Sequence, residues 1–234
     1  MRRSVCAVLG LLAVVLAPAR AATSAPDLDA VVSYETHQVL ASGVSRMERW
    51  KERLVRRGDT VWTERLLPPM HATVGHRHGA ESGAAEHAGH KHFNAEAAAR
   101  WLSLDVQGQP RLRYVDHAQR FVVSVPKAEY GAVGFDGRWD AAAFIVPPAV
   151  VARMPVRAAG AAVRGGTWHV ENNGEWSHRV LWSEARQVAL RVESQSKDGS
   201  FRRIVSVELA AAGGTMPWEA VSGYAQKEYD DFMD

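Results

Sequence analysis

A run of histidines in the first half of the chain has residue types and a spacing that could bind a metal ion. Six of the ten histidines fall within 22 residues: His71, His76, His78, His87, His90 and His92. Neutral imidazole is a good ligand for Cu²⁺, Zn²⁺ and Ni²⁺, and this spacing lets several rings reach one ion. The run therefore predicts a transition-metal site on a long loop. Two other interpretations stay open: a solvated segment that binds metal only incidentally, and a loop that responds to pH.

The residues around this histidine run limit which metal it would hold. Glu81 and Glu86 could add oxygen ligands, and Met70 could add a thioether if the ion is copper(I). The chain has one cysteine, Cys6, and it lies in a segment that we expect to be removed. Without a thiolate ligand, the expected cofactor is a copper, zinc or nickel ion held by imidazole.

Signatures of catalysis are missing from the sequence. It contains no Gly-x-Ser-x-Gly nucleophile elbow and no His-Glu-x-x-His zinc-protease motif. Asp116 and His117 are adjacent, but neighbours on a strand point to opposite faces and do not form an acid–base pair. The sequence therefore favours a non-enzymatic binding protein over a hydrolase.

The first 21 residues have the features of a secretory signal peptide. Arg2 and Arg3 precede an apolar run from Val5 to Leu16, and small residues before Ala22 suit signal peptidase. The apolar run is too short for the roughly 20 residues that span a bilayer. We therefore expect cleavage before Ala22 and a periplasmic product, residues 22–234, that folds as one domain.

The charge balance argues against nucleic acid as a partner. The signal segment holds three of the 28 Lys and Arg residues and none of the 26 Asp and Glu residues, so the remainder carries a formal charge of −1. A near-neutral chain lacks the cationic surface that binds phosphate backbones. One local basic stretch, Arg46 to Arg57, is interleaved with Glu48 and Glu52. We expect it to form a solvated face, with contact to anionic head groups or glycans as the alternative.

Most of the chain alternates like β-strands that are punctuated by turns. Extended segments are predicted over 31–67, with a helix as the open alternative for 45–57. Further strands are predicted over 111–115, 120–125, 131–135, 167–171, 176–182, 188–194 and 201–209. Short helices are predicted over 95–102 and 218–232. The expected fold class is α+β: a β-rich domain with a few short helices, in which residues 70–93 form a histidine-rich loop.

Two strand–turn–strand patterns carry a resemblance to a known family. One runs through Arg179–Ser194 into Lys197-Asp-Gly-Ser and a further strand, and the other is Val55-Arg-Arg-Gly-Asp-Thr-Val-Trp. Both resemble the periplasmic lipoprotein-carrier superfamily, which includes the outer-membrane lipoprotein carrier and receptor proteins and the sigma-factor regulatory lipoprotein-binding protein. The resemblance implies an antiparallel half-barrel whose helices cover an apolar concave face that receives acyl chains.

These observations together predict a carrier-like protein with an apolar groove for a lipid or lipoprotein acyl chain and an added metal-binding loop. One alternative is a periplasmic metal chaperone or buffer, for which the fold is only a platform. A second alternative, implied by the resemblance to the regulatory member, is a protein that senses the state of the envelope through a membrane partner protein.

Overall fold

The computed structural model describes residues 25–67, 95, 97–156, 165–211 and 213–232. The predicted signal peptide and the histidine run from His71 to His92, with Met70, Glu81 and Glu86, lie outside these residues.

One sheet of 11 strands forms the body of the described protein. Its strands are β1 (Leu28–Val39), β2 (Ser45–Arg57), β3 (Thr60–Leu66), β4 (Ala99–Leu104), β5 (Pro110–Asp116), β6 (Phe121–Val125), β7 (Thr167–Asn172), β8 (Trp176–Ser183), β9 (Val188–Ser196), β10 (Phe201–Leu209) and β11 (Ala225–Glu228). The spatial order is β11-β6-β5-β4-β3-β2-β1-β10-β9-β8-β7. Neighbouring strands are antiparallel, except that β11 runs parallel to β6.

Three short helices accompany the sheet: α1 (Trp139–Phe144), α2 (Pro148–Val151) and α3 (Pro217–Ala220). Short 3-10 turns cover Lys127–Glu129 and Tyr229–Phe232. No helix in the described ranges is both long enough and apolar enough to cross a membrane.

The sheet is strongly curved around α1. This helix contacts both β4 and β9, which lie five places apart in the strand order. A six-residue helix can touch both strands only if the sheet bends towards it from either side. In the described structure β11 and β7 remain at opposite edges, so the curve does not close into a barrel. The predicted α+β half-barrel is confirmed.

Alternation along the strands determines which face is buried. Ala30 on β1 lies opposite Leu54 on β2 and Leu209 on β10, and Leu28 and Val32 share its face. Because side chains alternate across a strand, this face collects the main apolar core, which also includes Ala143 of α1. The concave face therefore carries the core, and α1 covers part of it.

The convex face has a second, smaller core. Val55, Trp62 and Val122 are buried on it beneath Val221 and Trp218 of the C-terminal segment. That segment then continues into β11, which pairs with β6. The predicted C-terminal helix over 218–232 is wrong: Pro217–Ala220 is a short α-helix, Ala225–Glu228 is a strand and Tyr229–Phe232 is a 3-10 turn. Pairing with β6 satisfies backbone donors and acceptors that would otherwise lie open at a sheet edge.

Three other local predictions also need correction. Residues 45–57 form strand β2, so the helical alternative is wrong there. The helix predicted over 95–102 is wrong as well, because Ala99–Leu104 pairs with β3 and β5 on its two sides. The strand predicted over 131–135 is a turn region, where Phe135 packs against Tyr130 at 4.9 Å. In each case long-range contacts prevail over local propensity.

Candidate functional site

A cavity of about 340 Å³ lies between α1 and the concave face of the sheet. Its apolar lining comes from both sides. The sheet supplies Val32, Leu54, Val192 and Val205, and the segment that begins with α1 supplies Ala141, Ala142, Ile145 and Val146. The alternation that builds the core also builds this wall, because Val32, Leu54 and Val205 all lie on the core face. Such a wall can bind a saturated hydrocarbon chain.

The same cavity has a polar part. It is lined by Tyr34 of β1, Thr63 of β3, Arg100 of β4, Ser194 of β9 and Arg203 of β10. The Nε of Arg100 donates a hydrogen bond to Thr63 Oγ1 at 3.2 Å. The site is therefore amphipathic, with aliphatic side chains in one part and two guanidinium groups in another.

Tyr34 is the aromatic centre of this polar part. Its ring stacks on Trp50 with centroids 4.9 Å apart and an interplanar angle of 13°. Burial raises the pKa of Tyr34 far above its ordinary value, and the nearby Glu52 carboxylate, which is hydrogen-bonded to it, raises it further. The Tyr34 hydroxyl is therefore a neutral donor at physiological pH.

Glu52 is the carboxylate within this arrangement, and its neighbours hold it. Trp50 Nε1 donates to Glu52 Oε1 at 3.3 Å. Arg65 lies directly opposite Glu52 across the β2–β3 pair, and its guanidinium carbon lies 5.8 Å from the Trp50 ring centre. Arg65 thus places one positive charge near the one carboxylate of this cluster.

Arg56 fixes the position of α1 above the cavity. It is fully buried, and its Nη1 donates to the carbonyl of Ala143, in the last turn of α1, at 2.7 Å. The same guanidinium donates to the carbonyls of Pro26, Arg186 and Gln187 at 2.6–3.0 Å. Burial lowers the pKa of Arg56 to about 10, which still leaves it charged at neutral pH. The expectation that the whole basic stretch 46–57 is a solvated face is therefore wrong at Arg56.

The end of α1 has an unusual backbone conformation. Ile145 has φ +67° and ψ −45°, a region that a β-branched side chain rarely adopts. Pro147 and Pro148 follow, and Pro148 begins α2, whose Val151 packs on Val180 and Trp182. Arg56 binds the carbonyl of Ala143 before Ile145, and α2 packs against the sheet after it. These contacts on either side hold Ile145 in this conformation, and the chain continues across the cavity.

The isolated histidines of the described structure each have a partner of their own. His37 lies 2.8 Å from Ser45 Oγ, and His178 lies 3.0 Å from Ser194 Oγ. His117 contacts Glu64 at 3.4 Å, and His169 lies 3.3 Å from the carbonyl of Met154. In the described ranges no three His, Cys, Asp or Glu side chains come together as a metal site. The prediction that the six clustered histidines bind metal stays a prediction.

Two residues of the cavity were missed by sequence reasoning, Arg100 and Arg203. Their signal is present in the alternation: Arg203 has the parity of Val205 and Val207, which are buried on the core face. A charged residue at a core-facing position was the pattern that could have indicated the site.

Two larger depressions lie elsewhere and are built differently. One of about 610 Å³ opens on the convex face beside Glu35, Arg49 and Lys51. The other, of about 800 Å³, lies at strand ends and turns near Trp176 and Phe201. Strands and turns alone line both depressions. The smaller cavity beneath α1 is the better candidate because it combines an apolar wall with a cover.

Comparison with known proteins gives structural similarity alone. No protein-family model matches the chain, and no curated protein sequence matches it. Among solved structures it is similar to PNGF-II, with 7% identity and a TM-score of 0.36. That match covers 88% of this chain but 32% of PNGF-II, so the chain spans about a third of that protein.

The names of two other similar structures refer to lipoprotein sorting or to the LolA superfamily. One is an outer membrane lipoprotein-sorting protein domain from Vibrio parahaemolyticus, at 10% identity and TM-score 0.34, covering 83% of this chain and 89% of that one. The other is a LolA superfamily protein from Nitrosomonas europaea, at 6% identity and TM-score 0.29, covering 84% and 91%. At these identities and TM-scores the similarity carries no conclusion about function, which has to be inferred from the cavity.

Proposed function

We propose that the protein is a non-enzymatic binding protein that takes one acyl chain of a lipid or lipoprotein into the cavity beneath α1. The observation that carries the proposal is the amphipathic lining of this cavity, aliphatic beside Val32, Leu54 and Ile145 and polar beside Arg100 and Arg203. A chain that enters the apolar part leaves water at about 0.8 kcal/mol per methylene.

The size of the cavity supports a single chain as the ligand. Its volume of about 340 Å³ lies at the small end of the range for ligand sites. At about 30 Å³ for each methylene-sized group, it holds roughly ten of them. A lipid with two or three chains would have to leave the other chains outside or move α1.

The cellular setting is part of the same proposal. The features of residues 1–21 support export to the periplasm, where a carrier would receive its ligand from one membrane or partner protein and deliver it to another. A membrane partner protein would also suit the alternative role, in which an occupied cavity reports the state of the envelope.

A series of 1-alkanols of increasing length tests the proposed function. Titration calorimetry below the solubility limit should show an affinity that rises about fourfold for each added methylene, which is the equivalent of 0.8 kcal/mol. The rise should stop near ten carbons, when the cavity is full. An affinity that does not depend on chain length would contradict binding in the apolar part of this cavity.

A cavity-filling variant identifies the site. Ala142→Phe places a ring in the cavity and should shift the plateau to shorter alkanols by several carbons. Ala149→Phe is the matched control, because Ala149 lies exposed on α2. If both variants bind the series as the parent does, the alkanols occupy another place.

We also propose that the histidine run binds a transition metal, on the observation that six histidines fall within 22 residues. Metal needs the neutral ring, so Cu²⁺, Zn²⁺ or Ni²⁺ should bind at pH 7.5 and dissociate below about pH 6, near the ordinary imidazole pKa. Replacing His87, His90 and His92 with Ala should weaken binding more than replacing His37 and His117. Equal losses in calorimetric titration, or an affinity that does not change with pH, would place the metal elsewhere.

A further inference from the structure

We infer that the polar part of the cavity beneath α1 binds an anionic head group, so that the ligand is a single-chain amphiphile ending in a carboxylate or phosphate. This inference rests on the proposed function, because it names the head group of the chain that the apolar part would hold. It depends on two arginines, Arg100 and Arg203, that line the cavity from strands separated by three others.

The two guanidinium groups converge on one region of the concave face. Both line the same cavity, and both act on the pKa of Tyr34, which lies on β1 between their strands. The guanidinium carbon of Arg203 lies 5.8 Å from the Tyr34 ring centre. A head group beside Tyr34 would therefore feel both positive charges.

Positive charge exceeds negative charge around Tyr34. In the described ranges, Arg100 donates to the uncharged Thr63 hydroxyl, and neither Arg100 nor Arg203 forms a salt bridge. The nearby carboxylate of Glu52 is engaged with Trp50 and Tyr34, has Arg65 as its cross-strand neighbour and lines a small pocket together with Arg100. Among these described residues, the guanidinium groups of Arg65, Arg100 and Arg203 share this one carboxylate, so the cluster carries a net positive charge.

Arginines on the other face of the same sheet differ among themselves. Arg49 pairs with Glu35 at 3.1 Å, and Arg179 and Arg191 pair with Glu193 at 3.1 and 2.6 Å. Within the described residues, Arg53 and Arg202 form no salt bridge. What distinguishes Arg100 and Arg203 is therefore that they line the same cavity.

The chemistry of guanidinium suits such a ligand. Arginine presents a planar set of donors that binds carboxylate or phosphate through two parallel hydrogen bonds. The Tyr34 hydroxyl stays neutral because its pKa is raised, so it adds no competing negative charge, and its proton is already donated to Glu52. Arg100 is half-buried whereas Arg203 is exposed, so water screens part of the attraction at Arg203. The same charges repel a cationic head group.

Four ten-carbon probes with different head groups test the inference on the full-length protein: decanoate, decyl phosphate, 1-decanol and decyltrimethylammonium. Each is titrated below its critical micelle concentration. Decanoate and decyl phosphate should bind at least tenfold more tightly than 1-decanol, and the cationic probe should bind more weakly than 1-decanol. Inorganic phosphate is titrated alone to separate an anion site from an amphiphile site.

Charge-removing variants assign the effect to the two arginines. In Arg100→Gln/Arg203→Gln the affinity for decanoate should fall at least tenfold, to within about twofold of the affinity of the same variant for 1-decanol. Arg203→Gln alone should give part of the loss, and it provides the test if the double variant does not fold. Arg202→Gln is the matched control, because Arg202 is exposed like Arg203 but points to the opposite face of the sheet.

The outcomes separate this inference from the proposed function. Equal binding of decanoate and 1-decanol would overturn the head-group site and leave the acyl site standing. Inorganic phosphate that binds as tightly as decyl phosphate would overturn the amphiphile as occupant. If none of the ten-carbon probes binds, both the proposed function and the inference are wrong.

Discussion

Replacing the buried Arg56 should destabilise the protein more than any other single arginine substitution on β2. Its guanidinium is completely shielded from solvent and donates five hydrogen bonds to the carbonyls of Pro26, Ala143, Arg186 and Gln187. These carbonyls belong to the chain before β1, to α1 and to the β8–β9 turn. Arg56→Met keeps much of the side chain's volume but removes every donor.

The expected loss follows from the four acceptors. Each buried carbonyl that loses its donor costs about 1–3 kcal/mol, and part of this cost is recovered when water enters or the segments relax. Methionine also avoids the cost of burying a charge. We therefore expect a loss of roughly 3–5 kcal/mol, a large part of the 5–15 kcal/mol typical of a domain.

Urea unfolding followed by tryptophan fluorescence measures this loss. At a slope near 2 kcal/mol per molar urea, the midpoint should fall by about 2 M. Arg46→Met is the control on the same strand, because the Arg46 side chain is 67% exposed and pairs with Glu48 at the surface. That variant should lose less than about 1 kcal/mol.

A loss in Arg56→Met no larger than in Arg46→Met would refute the reasoning. It would mean that the carbonyls find other partners and that Arg56 does not hold α1 over the cavity. Arg56→Lys refines the result, since one ammonium cannot reach acceptors on all three segments and should lose most of the stability that Arg56→Met loses.

Other predictions concern positions away from the cavity. Gly166→Ala should lower the free energy of unfolding by about 1–3 kcal/mol in the same urea assay, because its Cβ would lie 2.9 Å from the Trp182 carbonyl oxygen and 3.0 Å from Leu181. Gly131→Ala is the control: its Cβ would meet nothing within 4 Å, so the free energy of unfolding should change little. Asp198 accepts hydrogen bonds from Ser196 and Ser200, which lower its pKa to about 2. Since its folded-state pKa lies below the unfolded value near 3.9, its contribution to stability is present above pH 4 and lost as the pH falls towards 2. NMR titration of the Asp198 carboxyl should give a pKa near 2, and Asp198→Asn should flatten this part of the stability profile; a carboxyl that titrates near 4 would contradict the hydrogen-bonding account.

The strands near the middle of the sheet could be predicted because two local signals agree there. Leu28, Ala30 and Val32 alternate with more exposed residues, and turns such as Gly58 and Gly174 require the positive φ that glycine adopts readily. Predictions failed where the local sequence favoured one structure but strand pairing with distant residues imposed another. Residues 95–102 have helical composition, yet Ala99–Leu104 lies between β3 and β5 and completes their hydrogen bonding.

The resemblance noted in the sequence implied the concave apolar face, but the polar part of the site was not predicted. Arg100 and Arg203 come from strands β4 and β10, and they meet because the sheet curves and brings distant strands to one cavity. The buried state of Arg56 was equally hidden, because composition does not distinguish it from Arg46 and Arg49, which are exposed on the same strand. Only the packed fold brings Arg56 against the carbonyls of three other segments.

The sequence by itself determined the β-rich class, most strand positions, the face that is buried and the presence of a histidine run. These depend on periodicity and composition, which act within a few residues along the chain. Only the tertiary structure decided the curvature, the cover formed by α1 and the pairing of charges. Those features depend on which strands become neighbours, and that is fixed by the packing of the whole sheet.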